Sequence, residues 1–359
     1  MHPACALSRA APSPSWNPAC PVPALMTKHI AQTCKTRFMV DDAGEQKRLR
    51  DALHAAQLYY QQDLTMEAIG NELRVSRSSV SRLLQLARDM GIVDIRVHQP
   101  TDEPRRIERA LRERFGVRGY LVPVPERVSH IERLERVTRT AARMLGEFFR
   151  SNMIMGVAWG STITTLSRHL VPTETTNSEI VQLNGAGNDH TSGVVYSSEI
   201  LSRFGQAFHA GVQYFPVPAF FDNPQTKQLL WAERSTRRVL DLQQRMDIAL
   251  FGLGSMTAEV PSQVYTGGYL SKADIAQLQR EGIVGDVATV FFRADGSSSD
   301  IAVNQRSSGP PLDTIRQAPR RLCVVSGQRR LEALRGGLAA ELITDLIVDT
   351  PTARMLVDS

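Results

Sequence analysis

Between residues 43 and 61 the apolar positions recur at helical spacing. Leu49, Leu53, Ala56 and Tyr60 fall on one stripe, which predicts an amphipathic helix. A second helix is predicted from Thr65, with Met66, Ile69 and Leu73 on one face. After the short turn Arg74-Val75, Ser76 is a suitable N-cap for a third helix, whose apolar side is Val80, Leu83, Leu84 and Ala87. Two short helices joined so tightly must cross steeply, and Gly70 supplies the small residue that their approach needs. This is helix-turn-helix spacing, in which the second helix of the pair enters the DNA major groove. Arg74 holds the turn position that often takes glycine in a left-handed conformation, at a cost on the order of 1 kcal/mol. After Gly91, which ends the third helix, Ile92 to Val97 alternates and predicts the strand of a small wing.

Pro100, Thr101 and Pro104 mark a boundary. Ile107, Leu111 and Phe115 then define a helix, Tyr120–Val124 a short strand, and Ile131–Phe149 another helix, with Arg109–Glu113 and Glu132–Arg136 as i,i+4 pairs. From Met153 onward short apolar runs alternate with helical segments. The candidate strands are Ile154–Ala158, Ile180–Leu183, Val212–Val217, Ile248–Phe251, Thr289–Phe292, Leu322–Val325 and Leu342–Val348. Such alternation predicts an α/β domain with a mostly parallel sheet, Rossmann-like in layout, behind a winged helix-turn-helix domain. The expected organisation is a disordered leader at 1–40, a DNA-binding domain at 41–100, and an effector and oligomerisation domain at 101–359.

Composition fits this division. The chain has 359 residues, of which 42% are hydrophobic and 22% charged, as expected for at least two globular units. No stretch approaches the ~18 uninterrupted apolar residues of a membrane-spanning helix, which predicts a soluble chain with no membrane partner. The net charge of +5 is unevenly placed. Residues 1–40 hold four basic residues and no acid, whereas residues 41–100 hold eight basic against nine acidic. In the leader, Pro3, Pro12, Pro14, Pro18, Pro21 and Pro23 interrupt any regular element, and no apolar core of a secretory signal is present. Cys5, Cys20 and Cys34 lie there and Cys323 stands alone, so neither a disulfide framework nor a zinc site is predicted, and a reduced cytoplasm is expected. No metal or cofactor is expected.

The candidate DNA-reading residues are Ser76, Arg77, Ser78, Ser81, Arg82 and Gln85, at the cap and outer face of the third helix. Arginine can fork to guanine, glutamine to adenine, and serine can reach bases or phosphates. From Arg74 to Arg88 the chain carries four arginines and no acid.

Ligands of parallel α/β domains bind at the carboxyl ends of strands, which directs attention to four loops. Gly160-Ser161-Thr162 combines close backbone approach, two hydroxyls and the N–H groups of a helix start, a combination that favours an anion. Asn184 and Gly185, then Gly252, Gly254 and Ser255, follow the next buried runs, and Asp286 follows Gly285 ahead of a strand. Neither Gly185-Ala-Gly187 nor Gly252-Leu-Gly254 completes a dinucleotide fingerprint, and no P-loop lysine is present. Trp159, Phe221, Phe251, Phe291 and Phe292 read as core.

The run LTMEAIGNELRVSRSSVSRLLQLARDMGIVDIRV resembles the N-terminal segment of SorC-type bacterial transcriptional regulators, also called sugar-binding-domain or DeoR-like regulators. The blocks GVAWGST, LNGAG, DIALFGLGS, GGYLSKADIAQLQREGIVGDVATVFFRADG and ALRGGLAAELITD look like successive parts of their effector domain. The resemblance covers roughly residues 45–355 and implies a fold similar to sugar-phosphate isomerases and deaminases. It implies that Gly160, Ser161 and Thr162 hold a phosphate and that Asn184 and Asp286 meet sugar hydroxyls. It further implies a homo-oligomer, typically a tetramer, and operator DNA as partner. The sequence departs from the family where many relatives carry Gly-Gly-x-x-Lys before ALRGG. Here VVSGQRRLEALRGG has no lysine, leaving Arg329 or Arg330 as the substitute, or a ligand that is unphosphorylated or differently placed.

The function expected is a transcriptional regulator of carbohydrate or polyol catabolism, not an enzyme, controlled by a sugar, sugar phosphate or polyol. The alternatives are a sugar-phosphate isomerase or deaminase with an appended DNA-binding module, using Asp286 as base, and a purely structural oligomerisation domain.

Overall fold

In the first described segment, residues 46–60 form a helix (α1) that packs three alanines, Ala52, Ala55 and Ala56, into the first core. The computed structural model describes residues 44, 46–93, 102–259 and 262–359 and divides the chain into two units, Met1–Asp94 and Ile95–Ser359. The expected leader, and the wing strand from Asp94 onward, lie outside the described residues.

In the N-terminal unit α1 is followed by α2, Met66–Leu73, and α3, Arg77–Asp89. Thr65 caps α2 by accepting from the Ala68 N–H, and Ser76 caps α3 by accepting from the Ser79 N–H, both at 3.2 Å. Arg74 between them is left-handed, with φ 55° and ψ 40°. A Cβ on Gly70 would stand 2.8 Å from the Val75 carbonyl oxygen, so the tight turn requires its absence. Ile69, Val80, Leu84 and Ala87 complete the core, with Leu83 partly buried. The expected stripe on α1 is rotated: Leu53 is 44% exposed while Ala52 and Ala55 are fully buried. Small side chains let the three short helices approach closely, and the bulkier Leu53 is left outside.

The larger unit opens with α4, Glu103–Phe115, β1, Arg118–Val122, α5, His130–Phe148, and β2, Ile154–Val157. It continues with α6, Ser161–Ser167, β3, Glu179–Gln182, α7, Val194–Phe208, β4, Gly211–Gln213, α8, Pro224–Trp231, α9, Arg234–Gln244, and β5, Ile248–Phe251. There follow α10, Gln263–Thr266, α11, Lys272–Arg280, β6, Ile283–Val287, and β7, Val290–Arg293. The chain closes with α12, Leu312–Gln317, β8, Arg320–Val325, α13, Leu331–Ala339, β9, Asp345–Asp349, and α14, Thr350–Asp358. No helix among the described residues is long and apolar enough to cross a membrane.

Seven strands form one sheet in the order β1-β9-β8-β5-β2-β3-β4, every neighbouring pair parallel. Buried on both faces, the strands read as short apolar runs, and helices cover each side. Chain order departs in opposite directions from β2, toward β3 and β4 on one side and toward β5, β8 and β9 on the other. The crevice at the carboxyl ends of β2 and β5 is therefore the topological switch point, where such sheets bind ligands.

Four expectations are corrected. The run at Thr289–Phe292 is not in the parallel sheet: β7 pairs antiparallel with β6 as a separate hairpin, and Thr289 lies in its turn. Of the run at Val212–Val217 only Val212 and Gln213 are strand, as the end of β4, and β9 begins at Asp345 because Glu341, at φ 56°, turns the chain first. Of the two i,i+4 pairs, Glu132–Arg136 forms at 2.8 Å, whereas Arg109 and Glu113 form no ion pair with a described residue.

Gly70→Ala should lower the unfolding midpoint of the N-terminal unit even though alanine is the better helix former by about 1 kcal/mol. Circular-dichroism melting checks this, and a raised midpoint would contradict the tight-turn account.

Candidate functional site: a basic helix face and an effector cavity

Capping geometry and core packing leave one side of α3 free. Ser76, Arg77, Ser78, Ser81, Arg82 and Gln85 are all exposed, as a groove-reading face must be. Ser76 Oγ lies 2.8 Å from Ser78 Oγ, and Gln85 is held between Arg88 and Asp89, at 2.7 and 2.8 Å. Arg88 also donates to the Tyr60 hydroxyl of α1 at 3.0 Å, so its main role is to tie α3 to α1. Arg77 and Arg82 make no ion pair with a described residue and extend freely from the helix.

In the larger unit, seven of the nine loop residues named from the sequence line a single cavity at the switch point, and Gly185 and Ser255 do not. Gly160, Ser161 and Thr162 come from the β2–α6 loop, Asn184 from the end of β3, and Gly252 and Gly254 from the end of β5. Asp286 comes from β6. Gly160 has φ 145° and ψ 167°, a region essentially closed to other residues, and it starts α6 without a side-chain cap. The Ser161 and Thr162 hydroxyls make no hydrogen bond with a described residue and stay available to a ligand.

The sequence pattern puts Asp286 in a loop ahead of a strand. It lies instead within β6, outside the parallel sheet, and reaches the cavity by an isolated bridge to Gly254. Gly254 N–H donates to the Asp286 carbonyl at 2.9 Å, and Asp286 N–H returns to Gly254 O at 3.3 Å. A Cβ at Gly254 would fall 1.8 Å from Asp286 Oδ1, so only glycine admits the carboxylate there. The β6–β7 turn holds Ala288 at φ 47° and Thr289 at φ 69°, left-handed conformations uncommon for alanine and more so for β-branched threonine. Thr289 N–H donates to Asp286 Oδ2 at 3.3 Å, and its hydroxyl is 2.9 Å from Ser307 Oγ.

The cavity is rich in buried polar atoms without partners. Asn184 Oδ1, Asp286 Oδ1 and Arg330 Nε have none, nor has the Tyr265 hydroxyl beside Asp286. Burial raises the Asp286 carboxyl to about 6, against a lowering by Tyr265 and the Thr289 N–H. Burial, reinforced by the Asp286 charge, also pushes the Tyr265 hydroxyl well above its ordinary range. The two groups face each other without closing a well-formed hydrogen bond, since both atoms remain unpartnered.

Arg330, 6% exposed, lines the cavity, whereas Arg329 is exposed. Arg330 donates to the Ser326 carbonyl at 3.1 Å and makes no ion pair with a described carboxylate. Burial lowers its pKa, and Glu259 only partly opposes this. A buried guanidinium without a counter-ion is costly, and an anion would offset the cost.

The profile of a sugar-binding domain family, Sugar-bind, matches residues 99–358. Over 307 residues the chain is 32% identical to the deoxyribonucleoside regulator of Bacillus subtilis (strain 168), covering 86% of this chain and 97% of that protein. The chain belongs to the SorC-type, sugar-binding transcriptional regulators. It is also 22% identical over 310 residues to the sorbitol operon regulator of Klebsiella pneumoniae, covering 86% of this chain and 98% of that one. A crystal structure of a domain of a possible sugar-binding transcriptional regulator from Arthrobacter aurescens TC1 superposes with a TM-score of 0.67 at 50% identity, over 72% of this chain and 100% of that one. The full-length sorbitol operon regulator structure from Klebsiella pneumoniae shares the fold, with a TM-score of 0.64 at 22% identity over 86% of this chain and 99% of that one.

Within this SorC-type chain, three cavity features give no warning in the sequence. Trp159, which reads as core, also forms a wall of the cavity: it stacks on Tyr269 at 5.0 Å, and its indole N–H donates to the Gly185 carbonyl at 2.8 Å. The Ala288-Thr289 turn carries no signal, because hairpin turns of this kind usually advertise themselves with Asn or Gly. Tyr265 stands in VYTGG with nothing nearby to mark it.

Raising the Asp286 carboxyl from 3.8 to about 6 means the folded state holds its proton more tightly than the unfolded chain does. Stability from this group is therefore present below about pH 4 and is lost as pH rises through 6, by about 3 kcal/mol. Asp286→Asn should melt higher than wild type at pH 7.5, with the difference closing near pH 4. A difference constant with pH would contradict the buried, ionisable carboxylate.

Proposed function

We propose that the cavity takes a phosphorylated sugar and that its occupancy sets the affinity of α3 for operator DNA. The observation that carries this reading is the convergence of an unpaired buried cation, Arg330, with two unpartnered buried acceptors, Asn184 Oδ1 and Asp286 Oδ1. A sugar phosphate meets both needs, with hydroxyls that donate to the acceptors and an anionic end for Arg330. The uncapped start of α6 and the free hydroxyls of Ser161 and Thr162 support the same anionic end. Of the two arginines that could replace the missing lysine, Arg330 is therefore the one assigned to phosphate.

Ser76, Arg77, Ser78, Ser81, Arg82 and Gln85 are assigned to operator contact, and the protein acts as a homo-oligomer, since paired helix-turn-helix units read paired half-sites. The B. subtilis relative is a deoxyribonucleoside regulator and the K. pneumoniae relative a sorbitol operon regulator. Phosphorylated deoxypentoses and phosphorylated hexitols are accordingly the first effectors to test.

An enzymatic reading draws on Asp286 alone, whose pKa near 6 suits an acid–base group. Turnover of aldose or ketose phosphates that disappears in Asp286→Ala would favour it over regulation.

Two variants separate the halves of the proposal. Arg82→Ala should weaken operator binding about 5- to 150-fold in gel-shift titrations while sparing ligand-induced thermal stabilisation. Arg330→Gln should weaken a phosphorylated sugar about 10- to 150-fold, with little effect on its unphosphorylated counterpart. Equal weakening for both sugars would move the phosphate elsewhere.

A further inference from the structure

A second concave surface shares no residue with the effector cavity. Between α9 and the start of β3 lies a groove of about 490 Å³, lined by Arg234, Arg237, Arg238 and Arg245 together with Glu179 and Asp241. Positions 234, 237, 238, 241 and 245 fall at i, i+3, i+4, i+7 and i+11, a single stripe that runs along α9 to its C-cap, Arg245. At ~1.5 Å per residue the stripe covers about 17 Å of axis, comparable to about five nucleotides at ~3.4 Å per strand.

Several arginines elsewhere in this unit are committed to carboxylates, although others, Arg109 and Arg330 among them, are not. Arg133 binds Asp349 and Arg293 binds Asp300, both at 2.7 Å, and Arg354 binds Glu103 at 2.6 Å. The four groove arginines are exposed and make no ion pair with a described residue, although two carboxylates line the same groove. Glu179 instead accepts from Gln213 Nε2 at 3.0 Å. The first turn of α9 has no acid, and Glu233 at its N-cap makes no side-chain capping bond. Three of the arginines thus lie at the positive end of the helix dipole, where Glu233 at the N-cap is the one acidic residue of the helix start.

The DNA-reading unit does not supply this positive field by its overall charge. Residues 41–100 hold eight basic against nine acidic residues, while affinity for duplex DNA depends heavily on neutralised phosphates. We propose that the α9 groove grips the phosphodiester backbone of DNA flanking the operator, outside the footprint of α3. The inference rests on the reading of the chain as an operator-binding regulator.

The test uses the full-length chain and two duplexes with the same operator, one trimmed to the footprint and one carrying about 30 base pairs of flanking DNA on each side. In the double variant Arg234→Gln/Arg238→Gln, affinity for the flanked duplex should fall about tenfold. The slope of log affinity against log salt should shrink by about 1.8, at ~0.9 for each phosphate no longer neutralised. Affinity for the trimmed duplex should be unchanged. Unchanged binding to the flanked duplex overturns the proposal, as does an equal fall on both duplexes. A change in oligomeric mass by light scattering also overturns it, by assigning the groove to an interface between copies. If the wild-type chain binds neither duplex, the operator-binding reading fails first and takes this proposal with it.

Discussion

A carboxylate taken out of water is the constraint around which the larger unit is arranged. Asp286 is 4% exposed, and no described cation pairs with it. It is held in place by the exchange of backbone hydrogen bonds with Gly254 and by the N–H of Thr289. Each support depends on an unusual backbone choice. Gly254 has no side chain because Asp286 occupies that space, and the β6–β7 turn runs through two left-handed, non-glycine residues. Gly309 completes the arrangement, since a Cβ there would meet the Ala288 carbonyl at 1.9 Å. A hairpin outside the parallel sheet is thereby fastened to the switch point of that sheet. Strain and desolvation gathered at one site are the mark of a structure shaped for a ligand rather than for stability alone.

Arg330 completes the electrostatic picture. The cavity pairs a cation lacking a counter-ion with acceptors lacking donors, and the unliganded protein can satisfy neither. Water can serve Asn184 and Asp286 in part, but it cannot neutralise a buried guanidinium. Three features of the fold converge on the same place: β2 and β5 diverge there in chain order, Gly160 opens the helix start there, and the β8–α13 connection delivers Arg330 there. Fixed groups of this kind favour a ligand, and an influence on DNA binding requires that this gain differ between two conformations of the protein.

Much of this is legible in the sequence, for physical reasons that differ by element. The helix-turn-helix can be read because cap, turn and core residues act over a few positions, so Ser76, Arg74 and Gly70 each announce a local role. The central strands can be read because a sheet buried on both faces needs short apolar runs, as at Ile248–Phe251. Six of the cavity residues, Gly160, Ser161, Thr162, Asn184, Gly252 and Gly254, can be read because glycines and polar residues after buried strands mark the carboxyl ends of a parallel sheet. What escapes depends on neighbours distant in sequence. The α1 stripe is rotated from its expected place because alanine packing is decided by the partner helices. Asp286 belongs to an element the pattern does not show, because β6 pairs only with its own hairpin partner and lacks a uniform apolar run. Trp159, Tyr265 and the Ala288-Thr289 turn join the site by tertiary packing alone.

On this reading, one ligand in this cavity is thermodynamically coupled to operator binding. Calorimetric titration of a phosphorylated deoxypentose into the full-length protein, free and saturated with operator duplex, tests it most directly. Coupling must be reciprocal, so the account predicts that operator changes ligand affinity by the same factor as ligand changes operator affinity, at least about fivefold. Tight ligand binding with the same affinity in both states would contradict it.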